Sequence, residues 1–433
     1  MKAALRVGSA TLAFVVLWAV VLFAGTSSGW WKQALAPRGD TAGFMGAAAR
    51  LVDSGNKGNA VFAVIEGGSV HRVHAVSVGD AVDVDTVFQV ASLSKWVTAW
   101  GVMALVQEGK IDLEAPVGTY LTRWALPDSK FDHSKVTVRR LLSHTAGLSD
   151  GLGYAGFAPG AVVPSLEDSL RRPDADPGIG GVIEVGHEPG SEWKYSGGGY
   201  AILQLLIEEV SGEPFAAFMQ RVVFRPLGMV RSSYTWTPAT GSTLAKFYGV
   251  DSRPTPHYRF SAVAAVSLYT SVSDLTRFVQ AHLPGKGGEP IGRGVLSPAT
   301  IEEMRRPHAS KFGEDIWGLG TMLYASNNKA GFIVGHDGNR REPPINTAVR
   351  FNPANGNGIV ILETGTPRLA TRLAGEWVFW ETGNVDFISF AMAVSGVIRL
   401  IGIGSVVIVL AVPTVAWSLR RKRKRRALEA GSA

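Results

Sequence analysis

The 433-residue sequence contains no cysteine, which excludes disulfides, cysteine nucleophiles and thiolate metal sites. In a suitable context it has no GxSxG elbow, the letters recurring only in GTSSG at 25–29 and GLSDG at 147–151, and no Walker or dinucleotide glycine loop; nor has it an HExxH helix, since His187 opens HEPGS without a second histidine. The nine histidines are scattered. His71 and His74, within HRVH, have strand neighbours and face opposite sides of a strand, so they do not form a ligand pair. No metal and no cofactor are expected. An excess of basic charge is lacking too, once residues 420–426 (RRKRKRR) are set aside: the remainder carries 36 Lys and Arg against 36 Asp and Glu. A basic excess confined to one tail is no phosphate-binding face, and a nucleic-acid partner is excluded on that ground.

Long apolar runs are present, at both ends. Residues 7–25, VGSATLAFVVLWAVVLFAG, follow Lys2 and Arg6 and suit a membrane span as well as a secretory signal. No clear A-x-A cleavage site follows, and we read residues 1–28 as an uncleaved signal anchor. A second run, Leu400 to Leu419, is followed at once by RRKRKRR, and clustered Arg and Lys stay on the cytoplasmic side. With the apolar stretch Phe387 to Ile398, residues 384–419 read either as one long tilted helix, with Arg399 and Pro413 inside it, or as an interfacial stretch followed by a span. Residues 420–433 read as a basic cytoplasmic tail. Both termini are then cytoplasmic, and the segment between the spans lies outside a bacterial cytoplasmic membrane.

That segment, residues 38–383, reads as one unit. NAVFAVIEGGSVHRVHAVSVGD suits two strands around a Gly-Gly turn, and INTAVRFNP, ANGNG and IVILET suit another hairpin far along the chain. Helical patterns such as GYAILQLLIEEVSG and SVSDLTRFVQAHL lie between them. The expectation is an α+β fold: an antiparallel sheet built from the N- and C-terminal parts of the domain, flanked by helices, with a mainly helical region inserted.

Within FQVASLSKWVTAW, Ser92 precedes Lys95 by three residues, and apolar side chains recur at Leu93, Trp96, Val97, Trp100, Met103 and Ala104. That spacing predicts a helix from near Ser92 to Gly109, with serine and lysine one turn apart on a shared face. A serine hydroxyl becomes a nucleophile when a neighbour takes its proton, and a lysine can do so only when neutral, a state favoured by apolar burial. Taken alone, the segment suits a capping serine and a surface lysine equally well. The same spacing recurs at Ser54 and Lys57, Ser191 and Lys194, and Ser326 and Lys329, all in loop-like or turn-rich context.

Two further segments carry candidate chemistry. EPGSEWKYSGGGY places Tyr195 before a run of three glycines, where backbone can approach a substrate closely. GFIVGHDGNR is a short apolar strand ending in Gly-His-Asp-Gly at His336. Each alone suits a packing tyrosine or a strand-end histidine.

In order, SLSK, KYSGGGY and GHDG resemble the motifs of the serine hydrolases related to class C β-lactamases and penicillin-binding DD-peptidases. LVQEGKIDLEAPVGTYL, VTVRRLLSHTAGL, VFRPLGMVRSSY and SLYTSVSDLTRFVQ add to the resemblance, which covers most of residues 50–365. It implies that Ser92 forms an acyl-enzyme, that Lys95 accepts its proton, and that Tyr195 shares the relay and helps protonate the leaving group. His336 stands where many members have the lysine of KTG and esterase-like members often have histidine. Oxyanion-hole donors would be the backbone amides of Ser92 and Asn339, with Gly197, Asp337 and Gly338 lining the substrate.

The sequence departs from the family pattern in three informative places. Gly197 replaces the asparagine of YxN, removing a side-chain amide, and His336 replaces a cationic partner for a carboxylate. After HDG, Arg340, Arg341 and Glu342 crowd the expected site, suited to a charged substrate group or to a solvated loop. The resulting expectation is an extracytoplasmic serine hydrolase acting on a small-molecule or peptide ester or amide. The alternatives are a peptidase for D-amino-acid bonds, a DD-carboxypeptidase or a β-lactamase. A non-catalytic envelope binding protein is a further alternative, against which the intact Ser92, Lys95 and Tyr195 speak. A transporter is disfavoured, because two spans enclose little volume for a substrate path. The loops expected to shape the pocket run from Gly151 to Pro177 and from Thr237 to Tyr258.

Overall fold

A computed structural model of the chain describes residues 2–150, 156–171, 183–237 and 243–430. Of the expected pocket loops, residues 151–155, 172–177 and 238–242 lie outside the described residues. The chain divides into two units, one made of the two terminal segments and the other spanning Leu35–Thr382.

In the larger unit, α2 (Thr41–Gly55) is capped by Asp40, whose carboxylate accepts from the Gly43 amide at 2.8 Å. The expected first hairpin follows as β1 (Asn59–Glu66) and β2 (Ser69–Ser77), turning through Gly67 and Gly68 at φ +53° and +77°. Next come β3 (Phe88–Gln89), α3 (Ser94–Gln107), α4 (Val138–Leu142), α5 (Leu166–Arg171), α6 (Gly198–Ser211) and α7 (Phe215–Met219). Then follow β4 (Phe247–Tyr248), β5 (Pro254–Thr255), α8 (Val263–Val266), β6 (Tyr269–Thr270), α9 (Val272–Ala281) and α10 (Pro298–Arg305). The unit closes with β7 (Ala309–Lys311), β8 (Glu314–Trp317), β9 (Met322–Ser326), β10 (Phe332–Arg341), β11 (Pro344–Phe351), β12 (Gly358–Thr364) and α11 (Leu369–Thr382).

Eight strands form one antiparallel sheet in the order β2-β1-β12-β11-β10-β9-β8-β7. The N-terminal hairpin therefore joins the last strand, with Ala60 opposite Glu363, and the helical segments are inserted between, as the sequence predicts. Helix α11 packs on β11 and β12, while α9 packs on β1 and β12. Val61, Ala63, Val349, Val360 and Leu362 share a buried core with Leu93, Trp96 and the helices of the inserted region. Their strand neighbours, by alternation, face the other side. Short pairs β3-β6 and β4-β5 stand apart from this sheet.

Helix α3 is buried on every side from Ser94 to Leu105, so its apolar content serves a helix enclosed by the core and not a single stripe. Its start differs from expectation by one step. Ser92 sits in a 3-10 turn, Ala91–Leu93, that leads into the α-helix at Ser94.

The terminal unit contains α1 (Lys2–Ser27) and α12 (Phe387–Ala430). Both are long and apolar enough to cross a membrane. They pack on each other, with the Trp18 indole donating to the Leu400 carbonyl at 3.1 Å and the Phe23 and Phe390 rings meeting edge to face. Of the two arrangements open for residues 384–419, the structure has one continuous helix. It runs through Arg399, Pro413 and the basic cluster to Ala430.

Candidate active site

The segment that carries Ser92 is bent into place by backbone. Ala91 takes φ +49°, a left-handed conformation that costs a non-glycine residue about 1–2 kcal/mol. Polar contacts on both sides hold this bend. The Ser94 hydroxyl donates to the Ala91 carbonyl at 2.6 Å and accepts from the Leu268 amide at 2.9 Å. On the sheet side, the Thr347 hydroxyl donates to the Val90 carbonyl at 2.9 Å. Gly338 on β10 lies at the same junction, where a Cβ would overlap the Val90 carbonyl and the Thr347 hydroxyl. Glycine is needed there because the strand and the turn that carries Ser92 approach backbone to backbone.

Lys95 reaches back along the helix face, and its Nζ donates to Ser92 Oγ at 3.2 Å and to the Ala265 carbonyl at 2.9 Å. The side chain is wholly buried. Loss of solvation pulls its ammonium down from the ordinary 10.5 to about 7, with the charge of Asp150 opposing the fall. The amine sits 5.0 Å from the centre of the Tyr195 ring and 5.7 Å from that of Tyr200. Burial raises the pKa of the Tyr195 phenol, against the opposing influence of the neighbouring Ser92 side chain, and keeps it protonated. Ser92, Lys95 and Tyr195, from separate stretches of chain, thus share one pocket.

His336 comes to the same neighbourhood on β10. It pairs across the sheet with Val349, on the face that meets the helical core, and its ring meets Trp317 at 5.4 Å, edge to face. Its Nδ1 lies 2.6 Å from the Asp337 carbonyl, so that nitrogen carries the proton and donates. Nε2 then holds a lone pair, buried and without a hydrogen-bond partner among the described residues. Burial, aided by the Lys95 charge, lowers the imidazole pKa to about 3, so the ring is neutral. It supplies no cation of the kind that lysine would.

Asp337 does not line this pocket with its side chain, contrary to the sequence expectation. Consecutive strand residues face opposite sides, and Asp337 pairs with Ala348 while His336 pairs with Val349. Its carboxylate accepts from Arg350 at 2.5 and 3.3 Å, from the Tyr324 hydroxyl at 2.8 Å and from the Thr371 hydroxyl of α11 at 2.8 Å. It braces the strand from behind. Asn339 lies three residues beyond His336, opposite Asn346, and its side-chain amide donates to the Pro367 carbonyl.

Arg340 is buried, with its guanidinium 4.2 Å from the Tyr258 ring centre and 5.1 Å from that of Phe260. Arg341 and Glu342 are exposed. Gly197 forms the N-cap of α6 and offers no side chain. Within the glycine run, a Cβ on Gly198 would sit 3.0 Å from Cγ of Asp150, so glycine there admits that carboxylate.

The sequence reading passes over Asp150 and His144. Asp150 is buried and accepts from the Ser196 hydroxyl at 2.5 Å and from the Gly198 amide at 2.6 Å, just beyond Tyr195. Burial raises its pKa, opposed by these hydrogen bonds and by the Lys95 charge. His144, also buried, lies tilted against Tyr195 with ring centres 4.4 Å apart. The available signal was LLSHTAGLSD itself, an apolar landmark interrupted by a histidine and an aspartate that the motif chemistry does not use. His71 and His74 pair separately with Glu66 and Asp53, at 2.8 and 2.7 Å. Among the described residues no group of three or more His, Asp or Glu side chains is arranged to hold a metal.

A serine-lysine-tyrosine cluster around a buried lysine, at the junction of an antiparallel sheet and a helical insertion, defines a class. The chain belongs to the Beta-lactamase family, whose model matches residues 45–379, and it is a serine hydrolase. It is 31% identical to penicillin-binding protein 4 of Amycolatopsis lactamdurans over 63% of this chain and 70% of that one. It is 33% identical to penicillin-binding protein 4* of Bacillus subtilis, over 65% and 62% of the two chains. With the esterase EstB of Burkholderia gladioli the identity is 35%, over 34% and 38%. The chain thus spans less than two thirds of the latter two relatives. In fold it is similar to the octameric penicillin-binding protein homologue from Pyrococcus abyssi, at a TM-score of 0.65 and 22% identity over 80% and 78% of the chains. It is likewise similar to a β-lactamase/D-alanine carboxypeptidase from Pseudomonas syringae, at a TM-score of 0.60 and 20% identity over 77% and 97%.

Proposed function

We propose that this chain hydrolyses an acyl ester or amide through an acyl-serine intermediate, outside the cytoplasmic membrane to which its terminal helices anchor it. Ser92 Oγ attacks the substrate carbonyl while neutral Lys95 takes the hydroxyl proton. Tyr195 relays a proton to the leaving oxygen or nitrogen as its bond to the carbonyl carbon breaks, and water then reverses the sequence to release the acid. The backbone amides of Ser92 and Asn339 stabilise the oxyanion, a contribution of about 2.7–4 kcal/mol per donor. The observation that carries this reading is the 3.2 Å approach of a wholly buried, readily neutralised Lys95 amine to Ser92 Oγ.

A neutral His336 and a side-chain-free Gly197 favour an uncharged acyl ester over a β-lactam. The similarity to an esterase supports the same choice. A second reading, a peptidase for D-amino-acid bonds with a free carboxylate, is favoured by the buried Arg340 next to Asn339 on β10. Membranes carrying the intact chain are expected to take up a fluorophosphonate probe, and Ser92→Ala to abolish that labelling. Persistent labelling moves the nucleophile elsewhere. Turnover of short aryl esters against D-alanyl peptides separates the two substrate readings.

A further inference from the structure

Tyr195 has neither a helix nor a strand to hold it, because residues 193–196 have no regular secondary structure. A proton relay needs its hydroxyl fixed to within a fraction of an ångström, and misplacement by 1 Å can cost about 100-fold in rate. The loop from His144 to Asp150 supplies the missing framework. His144 binds the residues on both sides of the tyrosine: its carbonyl accepts from the Lys194 amide at 2.8 Å, and its Nδ1 accepts from the Ser196 amide at 3.1 Å. Its ring covers the Tyr195 ring between those two contacts, with centres 4.4 Å apart. At the far end of the loop, the Asp150 carboxylate takes the Ser196 hydroxyl and the Gly198 amide.

His144 itself is held in an uncommon state. Its φ is +57°, and its ring lies edge-on to Trp317 at 4.7 Å and tilted against Tyr200 at 5.3 Å. Such conformations persist where the surroundings over-determine them. Because Nδ1 accepts from an N–H, the ring must be the neutral tautomer with its proton on Nε2. Burial disfavours the imidazolium, which would set one N–H against another.

We propose that His144 is a positioning residue for Tyr195, gripping the backbone on either side of the phenol so that its hydroxyl meets Ser92. The proposal rests on the acyl-serine reading above, in which Tyr195 carries a proton.

The experiment uses the full-length protein in detergent and a p-nitrophenyl acyl ester, with each preparation normalised by its fluorophosphonate-reactive fraction. His144→Leu removes the Nδ1 acceptor. His144→Asn places a carbonyl oxygen near the Nδ1 position, and His144→Gln places one near Nε2. Expected is a kcat loss of about 10- to 100-fold in H144L with KM within about twofold, most of it recovered in H144N and not in H144Q. In a Tyr195→Phe background, H144L is expected to add less than about a threefold loss, since it acts through the missing hydroxyl. An H144L loss as large in that background as in the wild type, or an H144N no better than H144Q, overturns the proposal. The H144N and H144Q pair decides the matter where H144L does not fold. A Y195F protein with wild-type turnover overturns it as well. Failure of the underlying reading is distinguishable, because it shows as labelling that survives Ser92→Ala.

Discussion

Replacing Lys95 by methionine is expected to abolish turnover and yet raise the stability of the protein at neutral and mildly acidic pH. In the folded state the amine titrates near 7, against the ordinary 10.5 of a solvated lysine. At ~1.36 kcal/mol per tenfold, the gap amounts to about 5 kcal/mol. Above about pH 10.5 both folded and unfolded chains hold the neutral amine, and burial of the group carries no proton-linked penalty. The penalty grows as the pH falls through the range where the unfolded amine is protonated and the folded one is not, and it levels off at full size below about pH 7, where the folded amine takes up its proton too. Methionine fills a similar volume without a titrating group. It forfeits the hydrogen bonds to Ser92 Oγ and the Ala265 carbonyl, worth roughly 1 kcal/mol each. The net gain for K95M at pH 6 is then about 3 kcal/mol, falling to a loss of about 2 kcal/mol at pH 10.5, with a crossing near pH ~9. At roughly 2 °C per kcal/mol, the variant melts about 5 °C above the wild type at pH 6. Thermal unfolding of both full-length proteins in one detergent, followed from pH 6 to 10.5, reads the difference directly. A difference that does not vary with pH, or a wild type more stable at pH 6, refutes the argument that this amine is stored uncharged.

Three further outcomes are expected. Asp150→Asn removes the negative charge that favours the Lys95 ammonium, among neighbours that otherwise comprise the Ser92 hydroxyl, the Tyr195 and Tyr200 rings and the neutral imidazoles of His144 and His336. The acid limb of kcat/KM should therefore move to lower pH, whereas loss of hydrogen bonds alone lowers the plateau and leaves the limb in place. Gly338→Ala forces β10 away from Val90 and should cut the turnover expected under the proposed function by about 100-fold or more, with urea unfolding showing a loss on the order of 1–3 kcal/mol. The lack of native cysteine makes the membrane reading testable by single substitutions. Phe312→Cys, on a side chain 94% exposed, should react with an impermeant maleimide in intact cells, and Glu429→Cys only after permeabilisation. The reverse pattern inverts the proposed orientation.

The fold was legible in the sequence wherever periodicity is local. The Gly-Gly and ANGNG hairpins, the amphipathic α9 and the helix after Ser92 all declare themselves over about ten residues. The pairing of β1 with β12 was legible only as an expectation that both ends contribute to one sheet, because register between strands 300 residues apart leaves no local mark. In the site, Ser92, Lys95 and Tyr195 stand in motifs that the resemblance picks out. His144 and Asp150 escape because their work is done on another segment's backbone, and a loop's contacts are set by tertiary packing. Asp337 was misassigned for a simpler reason: taking GHDG as a unit ignores the alternation that turns adjacent side chains of a strand apart.

The interleaving of the sheet bears on how the chain becomes active as it is made. The serine emerges within the first hundred residues, but the partner strand that wedges against its turn ends at Arg341, and the strand that locks the opening hairpin ends only at Thr364. A nascent or truncated polypeptide therefore carries a hydroxyl without its full surroundings, and the site is completed all at once, after nearly the whole of Leu35–Thr382 has been made and has closed upon itself.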